Sequence, residues 1–201
     1  MARLPAAVRR DAIVDATVAV MVRRGMAATT VRDVAEQLGT SSGLIHHYFS
    51  SMDDLLAAAF ERAAVRDLTA TREAMSRFDG AVERLSAFFA TYARAEQDWA
   101  FQLWLDAWAE ASRRPAVQAT SRRLNVEWQQ LLEQAVRDIV EHRQLPCRDP
   151  DGAAWRILSL LDGLALQTVA HRGAVDRRSV ISWSVSYAEA EIGLPPGTLA
   201  L

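Results

Sequence analysis

The chain has 201 residues, half of them hydrophobic, a mean hydropathy of −0.03 and a formal net charge of −2. Those values describe a globular chain with a real core and argue against a polycation that coats nucleic acid along its whole length. No apolar run reaches the roughly 18 residues of a membrane helix, MARLPAAVRRD lacks the apolar core of a secretory signal, and the lone Cys147 precludes an internal disulfide. A cytoplasmic protein with no membrane partner is therefore expected.

Helical periodicity runs through nearly every segment, and no stretch alternates with period two between turn signals, so the expected fold class is all-α. Arg9 to Arg24 forms the first helix, burying Ile13, Ala16, Thr17, Val20 and Met21, and Gly25 stops it. Val31 to Leu38 places Val31, Val34, Ala35 and Leu38 on one face, with Thr30 as its N-cap and Gly39 as its left-handed C′ residue. After Thr40, Ser41 or Ser42 caps a helix carrying Leu44, Ile45, His46, His47, Tyr48 and Phe49. Helix, glycine turn and helix at about 31–50 are the outline of a helix-turn-helix, whose second helix enters the DNA major groove. A longer helix starts near Ser51, where Ser51 and Asp54 pair like a capping box; it runs through LLAAAFERAAVRDLTATREAM and reads as a connector.

Beyond it, Asp79 is expected to cap a helix through Arg94, and Trp99 to Arg113 forms the next, closed by Pro115. Val117 to His142 keeps an apolar stripe for five turns, QLPCRDPDG is a loop, and Asp149-Pro150 starts a helix through His171. Asp176 opens the last helix, to Glu191, before a tail, GLPPGTLAL, expected to fray. The helix from Ala153 is apolar on more than one face and needs cover on more than one side. A homodimer through residues 153–190, two helices from each subunit, supplies that cover as a four-helix bundle.

Charge is distributed unevenly. Residues 1–50 hold six Arg against four acids, and the remainder holds seventeen against twenty-one. A mildly basic N-terminal unit joined to an acidic one suits a DNA reader carrying a second module. Every basic residue is Arg, a bias that a GC-rich coding sequence produces. An enzyme is not expected: Cys147 has His142 nearby but no orienting third group, and neither GxGxxG nor GxxxxGK[ST] occurs. His46 and His47 point in different directions and no further ligand is suitably spaced, so no metal and no cofactor is expected.

The stretch TTVRDVAEQLGTSSGLIHHYFSSMDDLL resembles the N-terminal domain of TetR/AcrR-type transcriptional regulators. Leu38, Gly39, Ser41, Gly43, Ile45, Tyr48, Phe49 and Leu55 fall where that pattern expects them. The C-terminal half, through LWLDAWAEA and LLDGLALQ, is similar to the BetI-type, choline-responsive branch. The resemblance implies a DNA-binding domain over 8–66 and an effector-binding and dimerisation domain over 67–194. It further implies a dimeric repressor of a palindromic operator, released by a small-molecule effector of unknown identity. Carried over by position, Thr30, Ser41, His46, Tyr48 and backbone amides such as that of Gly43 grip phosphates, while Ser42, Leu44 and His47 face base edges. Arg32, with Arg9 and Arg10, supplies charge. One departure stands out: Met52 occupies a position where such families often carry a phosphate-binding Lys.

All six tryptophans lie between Trp99 and Trp183. On the helix over 99–113, Phe101, Trp104, Leu105 and Trp108 share one face and Trp99, Gln102, Asp106 and Glu110 the other, which reads first as a core face and a solvated face. The sharper reading is a Trp-lined pocket closed by a carboxylate, suited to a cation. Its candidate liners are Trp104, Trp108, Trp128, Gln167 and His171, with Asp106 or Glu110 as counter-charge. Two other readings remain open: a DNA-binding activator or architectural regulator without an effector, and a helical enzyme or interaction module.

Overall fold

The computed structural model describes residues 5–93, 98–171 and 173–199, with Asp98 described by its backbone alone. Among the described residues it is all-α, with nine helices: α1 Ala6–Arg24, α2 Val31–Leu38, α3 Ser42–Tyr48, α4 Met52–Met75, α5 Ala81–Tyr92, α6 Asp98–Ala111, α7 Pro115–Arg143, α8 Pro150–Ala170 and α9 Arg177–Ile192. No helix among them is long and apolar enough to cross a membrane.

The chain divides into two compact units. The first comprises Met1–Arg66 with Gln102–Leu124, the second Asp67–Phe101 with Asn125–Leu201. In the first unit α1, α2 and α3 pack through Ile13, Val20, Met21, Val34, Ile45 and Phe49, all buried. Local chemistry sets the two short helices. The Thr30 hydroxyl accepts from Asp33 N while the Asp33 carboxylate accepts from Thr30 N, a reciprocal capping box. Gly39 closes α2 at φ 66°, ψ 40°, the left-handed region that a side chain disfavours. At the head of α4, Ser51 Oγ accepts from Asp54 N (3.1 Å) and donates to Asp54 Oδ2 (2.7 Å).

In the second unit α8 packs on α9, and α5 also meets α9. Asp149 caps α8 by accepting from Gly152 N, with Pro150 as first helical residue, and Asp176 caps α9 by accepting from Ser179 N.

Several boundaries depart from the sequence reading. Helix α1 starts at Ala6, one turn early, because Pro5 supplies a fixed φ just outside the helix. Gly80 rather than Asp79 is the N-cap of α5, without a side-chain bond. Pro115, read as the end of one helix, is the first residue of α7. The tail does not fray through Leu199: Glu189, 4 % exposed, accepts from Gly197 N (3.0 Å) and Leu199 N (2.7 Å), and Leu194 and Leu199 are buried. Helix α6 is rotated relative to its expected faces. Leu103, Ala107 and Glu110 are inside, and Trp108 is 37 % exposed. Arg114 makes that possible by donating to the Glu110 carboxylate at 2.8 Å, so a charge can be buried.

Candidate nucleic-acid interface and ligand site

In the first unit the candidate DNA-contacting residues occupy one stretch of accessible surface. Thr30, Arg32, Ser41, Gly43, His46 and His47 are exposed, and Ser42, Leu44 and Tyr48 are half-buried. Ile45 and Phe49 point the other way into the core and hold α3 in place. The His47 and Tyr48 rings meet edge to face at 5.1 Å, and Arg10 lies 4.8 Å over the Phe49 ring. Ser41 is the N-cap of α3 but its hydroxyl makes no capping bond, which leaves that oxygen accessible for another partner.

The charges there are partly spoken for. Arg24 pairs with Asp33, Arg23 donates to Gln37 at 2.7 Å, and Arg62 bridges Asp11 and Asp15 at 2.5 and 2.8 Å. The Thr30 hydroxyl, with its backbone N–H and Arg24, holds the Asp33 carboxyl below its ordinary range. Among the described residues no acid pairs with Arg9, Arg10 or Arg32, so the free positive charge at this surface is carried by few side chains. Met52 is half-buried and its helix opens with Asp53 and Asp54, which suit the positive end of the helix dipole and repel phosphate.

The candidate ligand-contacting residues fall in two places. Trp104, Asp106, Trp108 and Glu110 belong to the first unit. There Trp104 packs edge to face on Phe60 at 4.9 Å and lies 5.6 Å from Trp108. Asp106 accepts from Met26 N at 2.8 Å, and Glu110 is held by Arg113 and Arg114. All four therefore have protein partners. Trp128, Gln167 and His171 belong to the second unit: Trp128 is buried, Gln167 half-buried, and His171 exposed at the end of α8.

Trp128 is part of an aromatic cluster in the second unit that the sequence reading missed. Its ring lies 5.9 Å from Tyr92 and 6.2 Å from Phe88, and Tyr92 stacks on Phe101 at 6.0 Å with 19° between planes. Among the described residues the buried Trp128 Nε1–H has no acceptor. Two carboxylates complete the group. Among the described residues neither Asp67 on α4 nor Asp162 on α8 has a hydrogen bond or an ion pair, and burial raises their pKa values to about 6 and about 7. The Tyr92 phenol is pushed well above its ordinary value, first by burial and then by the charges of Asp162 and Asp67. Arg177 donates to the Tyr92 carbonyl at 2.6 Å and lies 5.2 Å over Phe101. Tyr92 thus ties the aromatic cluster to two half-buried carboxylates that have no paired cation among the described residues. Asp162 had a local signal, a lone acid in the apolar run LSLLDGLAL, and Asp67 follows Phe60 and Ala64 on the buried stripe of α4. Among the described residues, no group of three or more His, Cys, Asp or Glu is placed to hold a metal ion.

With a capped helix, a glycine turn and an exposed second helix, the first unit defines a DNA-binding regulator rather than an enzyme. Residues 13–59 match the family described as bacterial regulatory proteins, tetR family, and residues 81–193 match that described as BetI-type transcriptional repressor, C-terminal. The chain belongs to the TetR family of transcriptional regulators, in its BetI-type branch. It is 30% identical over 188 residues to the HTH-type transcriptional regulator BetI of Paraburkholderia xenovorans LB400, covering 90% of this chain and 92% of that one. It is 29% identical to the BetI of Escherichia coli SMS-3-5, covering 85% and 87%. Among solved structures, a transcriptional regulator from Pseudomonas aeruginosa PAO1 superposes with a TM-score of 0.81 at 27% identity, covering 95% of this chain and 93% of that one. One from Saccharomonospora viridis, solved in complex with choline, superposes at 0.82 and 22% identity, covering 92% and 98%, a likeness of fold.

Proposed function

We propose that this regulator is a ligand-responsive repressor that binds a palindromic operator as a homodimer and is released by a small cationic effector. Residues 8–66 read DNA and residues 67–194 hold the effector and the partner subunit. The exposed His46 and His47 on α3 and the accessible Ser41 at its N-cap face the duplex, with phosphate contacts from Thr30, Tyr48 and the unpaired Arg9, Arg10 and Arg32. Two such helices on a two-fold axis meet half-sites one DNA turn apart. The face for the partner subunit lies on α8 and α9. Arg156, Ser159, Gly163, Leu166 and Ala170 form an exposed stripe on α8 at helical spacing. Trp183 on α9 is 52 % exposed, and a shallow groove of about 350 Å³ lies between Trp155 and Tyr187.

The observation that carries the effector reading is the pairing of stacked Tyr92 and Phe101, with Trp128 beside them, to the unpaired Asp67 and Asp162. This reading favours Trp128 over Asp106 and Glu110, whose carboxylates already have hydrogen-bond partners, and over Trp104, which packs on Phe60 and Trp108. Binding of a cation there relieves the cost of holding two half-buried carboxylates without a counter-charge. A ligand that also carries an oxygen satisfies Trp128 Nε1–H. The choline in the S. viridis relative is of this type. Release from DNA then requires different effector affinities in the DNA-bound and free states, typically about 1–3 kcal/mol of coupling.

Titration of the intact protein with choline, followed by tryptophan fluorescence and by anisotropy of a labelled duplex from upstream of its gene, tests the reading. Saturable binding that weakens in Asp162→Asn, together with loss of the DNA complex, is expected. Cation binding that leaves the DNA complex intact would favour a regulator without an effector switch.

A further inference from the structure

One polar contact in the first unit joins the turn ahead of the helix-turn-helix to a helix far outside that motif. The Met26 N–H donates to Asp106 Oδ2 at 2.8 Å, and Gln102 Nε2 donates to Oδ1 at 2.8 Å. Met26 is fully buried, and α1 has already ended at Arg24, where Gly25 N makes the last bond, to Met21 O. A buried N–H must find an acceptor, and for Met26 that acceptor is the Asp106 carboxylate. The preceding residue, Gly25, sits at φ 82°, ψ 158°, a region essentially restricted to glycine. A Cβ at that position would come within 3.2 Å of the same carboxylate oxygen, so the backbone closes directly on Asp106.

The turn held in this way leads straight to the DNA-facing helices. Thr29 donates its hydroxyl to Gly25 O at 2.8 Å and its N–H to Met26 O at 3.2 Å, and Thr30 then caps α2. Helix α6 is itself anchored independently of Asp106. Trp104 packs on Phe60, and Arg114 bridges Glu110 to Asp53 at 2.8 and 2.6 Å. Loss of the Asp106 carboxylate therefore frees the turn while leaving the helix in place.

We infer that Asp106 is a positioning residue for operator binding: from outside the helix-turn-helix, its carboxylate fixes the α1–α2 turn and with it the presentation of α2 and α3. The inference rests on the DNA-binding reading above. Anisotropy titrations of the full chain on a duplex from upstream of its gene, and on an unrelated duplex, test it. Asp106→Ala weakens specific binding by about tenfold or more, as expected when a buried N–H loses its acceptor, and leaves non-specific binding unchanged. In Asp106→Asn, whose carbonyl oxygen still accepts from Met26 N, affinity returns to within about threefold of the parent because the bond is kept. Gly25→Ala, which disturbs the contact from the turn side, reproduces the loss. Hydrogen exchange at the Met26 amide is fast in Asp106→Ala and slow in Asp106→Asn. An unchanged specific affinity in Asp106→Ala overturns the inference, as does an equal loss in the Ala and Asn variants. Absence of specific binding by the parent chain overturns the regulator reading and the inference together.

Discussion

Asp162 should make the ligand-free protein less stable as pH rises, and replacing it with Asn should remove that cost. Its carboxyl is pushed from 3.8 to about 7 by burial, with no cation paired to it among the described residues. Between those two values the folded chain holds a proton that the unfolded chain has released, so stability falls with rising pH across the window and levels off above it. At about 1.4 kcal/mol per pKa unit the full displacement corresponds to about 4 kcal/mol, and allowing for residual solvent access about 2 kcal/mol is a fair expectation. In a chain of this length that is about 4–8 °C in melting temperature. Differential scanning calorimetry of Asp162→Asn and the parent at pH 5 and pH 8 measures it. The variant is expected to melt higher than the parent by a small margin at pH 5, where the cost has begun, and by a clearly larger margin at pH 8. The same variant should bind choline at least about tenfold more weakly, as loss of a buried counter-charge implies. A variant that melts lower than the parent at pH 8 would show that the carboxylate is paired in solution, and the cation-site argument would fail with it.

Other outcomes follow from the same geometry. Thr30→Ala removes one half of the α2 capping box and should cost about 1 kcal/mol in urea unfolding, with weaker operator binding. Met52→Lys should tighten DNA binding and steepen the salt dependence of log K by about one, and Arg10→Ala should flatten it by about one, measured by anisotropy across a salt series. Glu189→Ala strips the acceptor from Gly197 N and Leu199 N, costs about 1–3 kcal/mol, and opens the C-terminal tail to carboxypeptidase. Trp183→Arg, on the exposed face of α9, should turn a dimer into monomers in sedimentation equilibrium; an unchanged mass would place the interface elsewhere.

The helix-turn-helix was legible because its determinants are local. Thr30 with Asp33, Gly39, and Ser51 with Asp54 act over three or four residues, and their spacing is visible in one dimension. The register of α6 was not, because the side that faces inward depends on Arg114, which neutralises Glu110 from the next helix. The aromatic cluster was harder still. Asp67, Phe88, Tyr92, Phe101, Trp128 and Asp162 come from five different helices, and only Asp162 is conspicuous where it stands, an acid amid leucines. The Trp-rich composition drew the sequence reading to Trp104 and Trp108 on α6, whereas the cluster with the unpaired carboxylates gathers Phe101 of the same helix with Tyr92 and Trp128. The docked tail escaped notice because GLPPGTLAL carries every mark of a loose end, while its fastening, Glu189, looks like one more acid on a helix.

The sparse charge of the surface proposed to face DNA has a physiological consequence. Each phosphate neutralised by a cation ties affinity to the ion atmosphere of DNA, and here Arg9, Arg10 and Arg32 are the unpaired basic side chains among the described residues up to 50. A reader built mainly from caps, amides and imidazoles gives up tightness for constancy. Its occupancy should drift little when a cell gains or loses salt, so that changes in bound fraction report the effector rather than the ionic weather.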